Sequence, residues 1–449
     1  MEPTTFYLQS LGCAKNRVDS EVILGVLMAG GYQPVENPLE ASVIVVNTCT
    51  FIEAASQESI DAILELAQAK GQGQCQVLVV AGCLPQRYGR KLAKLVPEID
   101  LLVGTSSFPK LALFLNRYQK GDSQKLFVDP PRFLMNSHTP RTLSAPFYSA
   151  YLKIAEGCAN RCSFCTIPAI RGLYRSRPLG DLLEEAAWLG SQGVVELNLI
   201  AQDTTAYGED LDGNGSIADL LDSLAGIGLF PWIRLLYAHP QRITDKLLAV
   251  MSAHDSICAY LDLPFQHASG KILQKMGRSG SAAESLRLIE TIRERLPEIA
   301  LRTTLMVGFP GEREEDFEEL LAFVERARFQ RLGLFAYSAE EGTPAARLGD
   351  TVSDLVKQER LQTLAVLQEQ ISLSFHQQLV GTHQPVLIEG ETSETELLLE
   401  GRLASQAPEV DGRVLINRGF ARLGEIVPVR ITEAHVHDLI GAVVGSDLF

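Results

Sequence analysis

The stretch that decides the fold reads Tyr151-Leu152-Lys153-Ile154-Ala155-Glu156-Gly157-Cys158-Ala159-Asn160-Arg161-Cys162-Ser163-Phe164-Cys165-Thr166. A strand-like run from Tyr151 to Ala155 delivers three cysteines, spaced three then two residues apart, into one short loop. That loop contains no fourth cysteine, and its nearest histidines in sequence, His138 and His239, are at least 20 residues away. A purely structural zinc site closes its tetrahedron with a fourth Cys or His, whereas a four-iron cluster on three thiolates leaves one iron open to a substrate. The spacing therefore points to an open iron–sulfur cluster. Zinc with a distant fourth ligand, and metal-free thiols, remain the other readings. Gly157 lets the backbone turn tightly beside the first cysteine.

Downstream of this loop, strand-like runs recur at Val194–Ile200, Trp232–Tyr237, Tyr260–Leu263, Leu301–Val307 and Arg331–Ala336, with helical stretches between them. Six such βα units predict a partial or full parallel barrel, whose function gathers at the carboxyl ends of its strands. The unusual polar groups fall at those ends: the cysteine loop, Gln202-Asp203-Thr204-Thr205, His239-Pro240, Pro264-Phe265-Gln266-His267 and Gly308-Phe309-Pro310-Gly311-Glu312.

Upstream, short apolar runs at Phe6–Leu11, Val43–Val46 and Val77–Val80 alternate with helical patterns, which predicts a doubly wound parallel sheet. Each run leads into a cysteine: Cys13, Cys49 and Cys83. Ligands of open α/β sheets collect at the carboxyl ends of the strands, so these three predict a second cluster site with one open iron. Cys75 enters a strand and Cys258 precedes one, and both read as core residues.

The predicted domains are an N-terminal α/β domain over 1–120, a linker over 121–146 rich in turn formers, a (βα)6 core over 147–376, and a small antiparallel, OB-like β-barrel over 377–449. The chain has 449 residues, 46% hydrophobic and 21% charged, with no apolar run long enough to span a bilayer and no signal-like start, which predicts a cytoplasmic protein. A net charge of −15 opposes nonspecific attraction to nucleic acid and favours a basic partner. Residues 379–449 carry 11 Asp and Glu against 5 Arg, including the run Glu389, Glu391, Glu394, Glu396 and Glu400. The arginines around the cysteine loop, Arg161, Arg171, Arg175 and Arg177, read equally as a solvated rim or as counter-charge for an anionic cluster.

The Cys158–Cys165 motif after the first strand of a βα barrel resembles the radical S-adenosylmethionine superfamily. The whole chain resembles its methylthiotransferases, which join an N-terminal three-cysteine domain, a radical core and a C-terminal TRAM barrel. The resemblance implies two 4Fe-4S clusters, on Cys158, Cys162 and Cys165 and on Cys13, Cys49 and Cys83, with S-adenosylmethionine as cosubstrate. It also implies cofactor contacts from Phe164, Gln202, Arg234, Gln266 and Met306 through Val307 to Gly308, and a flavodoxin- or ferredoxin-type electron donor. Asp19, Glu21, Asp203 and His267 read as orienting or capping groups, with no proton-transfer role.

Leu11-Gly12-Cys13-Ala14-Lys15-Asn16-Arg17-Val18-Asp19-Ser20-Glu21, Ala201-Gln202-Asp203-Thr204-Thr205-Ala206-Tyr207-Gly208, Asp262-Leu263-Pro264-Phe265-Gln266-His267 and Glu340-Glu341-Gly342-Thr343 resemble the members that modify a ribosomal protein. The transfer-RNA members carry Gln-Met-Asn, Gln-Asn-Val and Gln-Ser-Gly at three of these places, and this chain departs from all three. The implied reaction inserts a methylthio group at the β-carbon of an aspartate in the twelfth protein of the small ribosomal subunit, with transfer RNA as the alternative substrate. One S-adenosylmethionine supplies the methyl group and another the radical, while the sulfur is held at the open iron of the N-terminal cluster.

Overall fold

A computed structural model describes residues 4–445 apart from 145, 214, 350, 393 and 394, and leaves out the side chains of 395–397. The readings that involved Ala145, Glu394 and the Glu396 side chain fall outside what is described. The N-terminal domain is one parallel sheet of β1 (Thr5–Ser10), β2 (Gln33–Pro34), β3 (Val43–Thr48), β4 (Val77–Gly82), β5 (Leu101–Val103) and β6 (Leu126–Phe127), in the order β2-β1-β3-β4-β5-β6. Its helices are α1 (Ala14–Ala29), α2 (Glu53–Gln72), α3 (Cys83–Leu95) and α4 (Leu111–Gln119). All six residues of β3 and of β4 are buried, as expected of central strands covered on both faces. Strand order reverses between β1 and β3, which creates the crevice where doubly wound sheets bind ligands. The stretch read as linker contributes β6, so the sheet extends past residue 120.

The core sheet is also parallel and runs β7 (Ser149–Lys153), β10 (Glu196–Ile200), β11 (Trp232–Leu235), β12 (Ile257–Asp262), β13 (Ala300–Val307) and β14 (Arg331–Ala336) as successive neighbours. A separate antiparallel clip of β8 (Ala155–Glu156) and β9 (Arg175–Ser176) closes the base of the cysteine loop. The core helices are α5 (Ile167–Arg171), α6 (Leu179–Ser191), α7 (Ile217–Ile227), α8 (Asp245–Ala253), α9 (Gly270–Lys275), α10 (Ala282–Arg295), α11 (Glu314–Ala327) and α12 (Asp354–Leu379).

Period-two alternation sorts the strand residues by face. Leu197, Leu199, Ile233, Leu235, Leu261, Leu305 and Val307 pack under the helices. Ile200, Trp232, Leu236, Tyr260 and Ala300 face inward and join a core shared with Phe6 and Val18 of the first domain and Leu387 and Ala407 of the third. The concave face of the open barrel is thus plugged by the other two domains.

The C-terminal barrel closes in the order β15-β16-β17-β19-β18 from β15 (His383–Thr392), β16 (Thr395–Leu403), β17 (Val414–Arg418), β18 (Ile426–Ala434) and β19 (Leu439–Val443). The expected small barrel is present, and one pair, β17 with β19, runs parallel rather than antiparallel. Buried charges tie the domains together. Arg141, from the segment read as linker, bonds Glu21 at 2.6 Å, Glu185 at 2.5 Å and the Tyr151 carbonyl at 2.8 Å. Glu196 lies between Arg234 of the core and Arg402 of the barrel.

Candidate active site

Cys13 caps α1, Cys49 follows β3 and Cys83 opens α3, so the trio sits at the carboxyl ends of three neighbouring strands, β1, β3 and β4. Gly12 is at φ +89°, and a Cβ there would approach the Cys49 Cβ to 2.5 Å, so only glycine lets these two cysteines come together. Burial pushes the Cys83 thiol up to about 12; Arg171 opposes the shift while Cys49 and Cys13 add to it. Burial likewise raises Cys49, with Cys13 reinforcing it. Thiols packed this way hold their protons until a cation takes the charge.

The second trio is held on all sides. The Cys158 N–H donates to the Gly172 carbonyl at 3.1 Å and the Cys165 N–H to the Cys162 carbonyl at 3.1 Å, while the Cys165 sulfur accepts from the Ile167 N–H at 3.4 Å. Ser163 anchors the loop to the end of α9 through the Met276 carbonyl at 2.8 Å and the Lys275 carbonyl at 2.7 Å. Burial pushes the Cys165 thiol up to about 12, with Cys162 and Cys158 adding repulsion. Gly157 is at φ +79°, and a Cβ there would fall on the Leu173 carbonyl oxygen. Gly157→Ala is expected to cost about 1–3 kcal/mol of local strain and to cut the iron bound at Cys158–Cys165, with the iron at Cys13–Cys83 unchanged. Iron analysis of this variant in a background lacking the N-terminal cysteines reads the loss, and full iron content there rules out the tight turn as a requirement.

The first trio lies over the mouth of the barrel. Lys15 places its Nζ 3.1 Å from the centre of the Tyr237 ring, just past the end of β11. Lys153, on the inner face of β7, bonds Asp19 of α1 at 2.5 Å and Glu156 at 2.9 Å. Arg171, at the end of the helix that follows Cys165, donates to the Cys83 sulfur at 3.2 Å. Lys15, Tyr237 and Lys153 are not singled out by the sequence reading, which offers Arg171 only as one of four loop arginines, rim or counter-charge. Tyr237 was legible in principle as the last residue of the third predicted barrel strand, and Lys15 from its place two residues after Cys13.

Of the expected cofactor contacts, Phe164 and Met306 share an apolar cluster with Ile272, Met276, Phe309 and Tyr337 beside the cysteine loop. Gln202 has its Oε1 buried with no hydrogen-bond partner among the described residues. Gln266 is held at φ +71° by a bridge to Leu305. Non-glycine residues in this region persist only where their surroundings over-determine them. Gly308 is at φ +72° and meets the Lys357 side chain.

Two of the expected contacts have their side chains engaged elsewhere. Val307 turns its side chain outward into the helix-covered core, because alternation along β13 sends Met306 inward and Val307 away. Arg234 is on the inner face, yet its guanidinium is consumed by Glu196 at 2.9 Å and the Ala404 carbonyl at 2.7 Å. It serves as an interdomain strut.

Several other polar residues near the strand ends have partners within the chain. Asp203 accepts from Asn160 at 2.8 Å and Arg242 at 2.9 Å, which fixes the cysteine loop to the end of β10. Glu21 holds Arg141 and Ser144. His267 Nδ1 accepts from the Ser269 N–H at 3.0 Å. Of the loop arginines, Arg177 is buried against Asp181 and Glu185 and Arg175 donates to the Leu173 carbonyl at 2.7 Å, while Arg161 is exposed. The acidic run is partly neutralised within the barrel, since Glu389 pairs with Arg402 and Glu400 with Arg413.

Among the described residues, no three side chains of His, Cys, Asp or Glu close on a single-ion centre. A four-iron cluster makes no such demand, because each thiolate binds a different iron. The open trios and the unpartnered Gln202 oxygen fit two clusters and a polar cosubstrate. Among the described residues, no helix is long and apolar enough to cross a membrane.

Three family models match consecutive parts of the chain: Uncharacterized protein family UPF0004 over residues 5–104, the Radical SAM superfamily over 152–324 and the TRAM domain over 380–444. The chain is 50% identical to ribosomal protein uS12 methylthiotransferase RimO of Geotalea uraniireducens, covering 97% of this chain and 98% of that protein. It is 48% identical to the protein of that name from Myxococcus xanthus, covering 98% and 92%. Among solved structures, the radical S-adenosylmethionine methyltransferase TsrM of Kitasatospora setae superposes with a TM-score of 0.57 at 15% identity, covering 86% of this chain and 81% of that one, a likeness of fold. With two cysteine trios placed against one barrel mouth and relatives half identical from end to end, the chain belongs to the ribosomal protein uS12 methylthiotransferase family.

Proposed function

We propose that the chain inserts a methylthio group at the β-carbon of an aspartate of ribosomal protein uS12. The observation that carries this reading is the apposition of two cysteine trios, each one ligand short, at the shared mouth of a parallel sheet and an open barrel. Two clusters, each with one iron left open by its three thiolates, would suit a reaction that must generate a radical and deliver a sulfur to the same carbon. When bound, S-adenosylmethionine and the Cys158–Cys165 cluster supply a carbon radical strong enough to take a hydrogen atom from an unactivated carbon.

The chain's own residues prepare the space. Phe164 and Met306 offer an apolar wall to an adenine, and the Gln202 oxygen, buried without a partner, accepts from a donor on the cosubstrate. Cys13, Cys49 and Cys83 would hold the second cluster, which would supply the sulfur at its open iron. The domains packed into the concave face of the core exclude water from a reactive intermediate.

A net charge of −15 favours a basic ribosomal protein over RNA, although the ion pairs within the barrel move part of that field away from its surface. A flavodoxin- or ferredoxin-type protein supplies the electrons, in a cytoplasm reducing enough to keep eight cysteines as thiols.

The test is anaerobic incubation of the reconstituted protein with dithionite and S-adenosylmethionine, offering uS12 and transfer RNA in separate reactions. Mass spectrometry is expected to find a methylthio adduct on a uS12 aspartate and none on RNA. An adduct confined to RNA overturns the choice of substrate.

A further inference from the structure

Between the two trios lies a closed group of four buried charges. Arg171 bonds Asp19 at 2.5 Å through Nη1 and approaches Glu156 at 3.6 Å. Lys153 bonds the other oxygen of Asp19 at 2.5 Å and Glu156 at 2.9 Å. The four side chains are at most 7% exposed, and two cations cancel two anions. Asp19 comes from the N-terminal domain, and the other three come from the core.

One edge of this group is not internal. Arg171 turns Nη2 towards the N-terminal domain, where it meets the Cys83 sulfur at 3.2 Å and the Asn16 amide oxygen at 3.3 Å. The guanidinium on the Cys83 sulfur thus belongs to the polypeptide turn that carries the other trio, six residues past Cys165. A strut needs only Asp19 and Glu156; a hydrogen bond to a cysteine sulfur is an additional feature.

Hydrogen bonds and positive charge at a ligand sulfur stabilise the more negative, reduced state of an iron–sulfur cluster. In a site this buried the effect is little screened. We infer that Arg171 is a positioning residue that sets the reduction potential of the Cys13–Cys49–Cys83 cluster from within the radical core. The inference rests on the reading that this trio holds a cluster. The same contact fixes the distance between the two sites, so a shift of the core loop is felt at Cys83.

Charge arithmetic separates this role from a structural one. Removing Arg171 leaves the group with a net −1 beside Cys83, and neutralising Asp19 leaves it with +1. The two changes must therefore move the potential in opposite directions, whereas loss of a mere strut disturbs both alike.

The experiment uses the full chain with Cys158, Cys162 and Cys165 replaced by alanine, so that only the N-terminal cluster is loaded, followed by potentiometric titration with electron paramagnetic resonance detection. Arg171→Met is expected to shift the reduced-to-oxidised ratio at a fixed potential about tenfold towards oxidised, or about 59 mV for a one-electron couple. Asp19→Asn is expected to shift it the other way, and Arg171→Lys to restore part of the parent value. Equal midpoints, or shifts of one sign in both variants, overturn the inference. If Arg171→Met does not fold, Asp19→Asn decides alone: an upward shift supports the role and no shift overturns it. A parent that takes up no iron and sulfide overturns the cluster reading itself, which is a different result from a loaded parent with unmoved potentials.

Discussion

Replacing Cys13, Cys49 and Cys83 together by alanine is expected to abolish methylthio insertion while 5'-deoxyadenosine is still formed from S-adenosylmethionine. The two trios are built on different elements, one on the ends of β1, β3 and β4, the other on a loop clamped by β8, β9 and the end of α9. Alanine fits the nearly buried positions 49 and 83, where a cysteine otherwise behaves as a small apolar residue, so the sheet that supports the core survives. The reciprocal variant, with Cys158, Cys162 and Cys165 replaced, is expected to lose both products. Chromatographic quantification of 5'-deoxyadenosine beside mass spectrometry of uS12 reads the two steps separately. If deoxyadenosine vanishes in the first variant while circular dichroism reports an intact fold, the two sites do not divide the work as proposed.

Glu196→Gln is expected to destabilise the protein by about 3–5 kcal/mol, the cost of breaking a buried ion pair by removing one partner. Glu196 is fully buried and accepts from Arg402 at 2.6 Å, from Arg234 at 2.9 Å and from Ser149 at 2.7 Å. Glutamine keeps the shape but leaves two buried guanidiniums without their shared anion; Arg402 retains Glu389, and Arg234 retains the Ala404 carbonyl and the face of the Tyr260 ring. Burial alone would raise the Glu196 carboxyl, but Arg402 and Arg234 outweigh it and hold it far below the usual carboxylate range.

A group whose folded pKa is depressed contributes stability that is complete above its unfolded value, about 4.3 for glutamate, and is lost as pH falls from there towards the folded value. The parent is therefore expected to lose stability steeply below about pH 4.3, and Glu196→Gln to flatten that part of the curve. Urea titrations from pH 7 to pH 3 check both statements. A variant within 1 kcal/mol of the parent at pH 7 would show that the barrel is held by its apolar contacts alone.

The plan of two parallel α/β sheets followed by a β-barrel was legible because it rests on local periodicity. Runs such as Val43–Val46 and Val77–Val80 are apolar throughout because central parallel strands are covered on both faces, and their regular spacing with helical patterns specifies the winding. The cysteines were legible for the same reason: a residue just past a parallel strand is at the ligand-binding edge whatever the rest of the chain does. Alternation already implied that Met306 and Val307 face opposite ways, so the outward turn of Val307 was available from the sequence once β13 was placed.

Other features required distances between residues far apart in the chain. Arg234 sits on the correct face of the correct strand, and nothing near it in sequence indicates that Glu196 and a carbonyl of the third domain would consume its guanidinium. Arg171 reads as one of four arginines in a row of surface charge until the first domain places Cys83 against it. The acidic run of the barrel looks like a free field until Arg402 and Arg413 fold back onto it.

By itself, the sequence determined which residues lie at the ends of which strands, and hence that two sets of three thiols are presented at two sheet edges, each without a fourth ligand. Only the tertiary structure decided that the two edges face each other across a buried group of charges, with Arg171 of one site on the sulfur of the other. The reason is physical: strand-end placement follows from a backbone period of two and the parallel βα rule, while the partner of a buried charge is chosen by desolvation across domains, a pairing that no local pattern encodes.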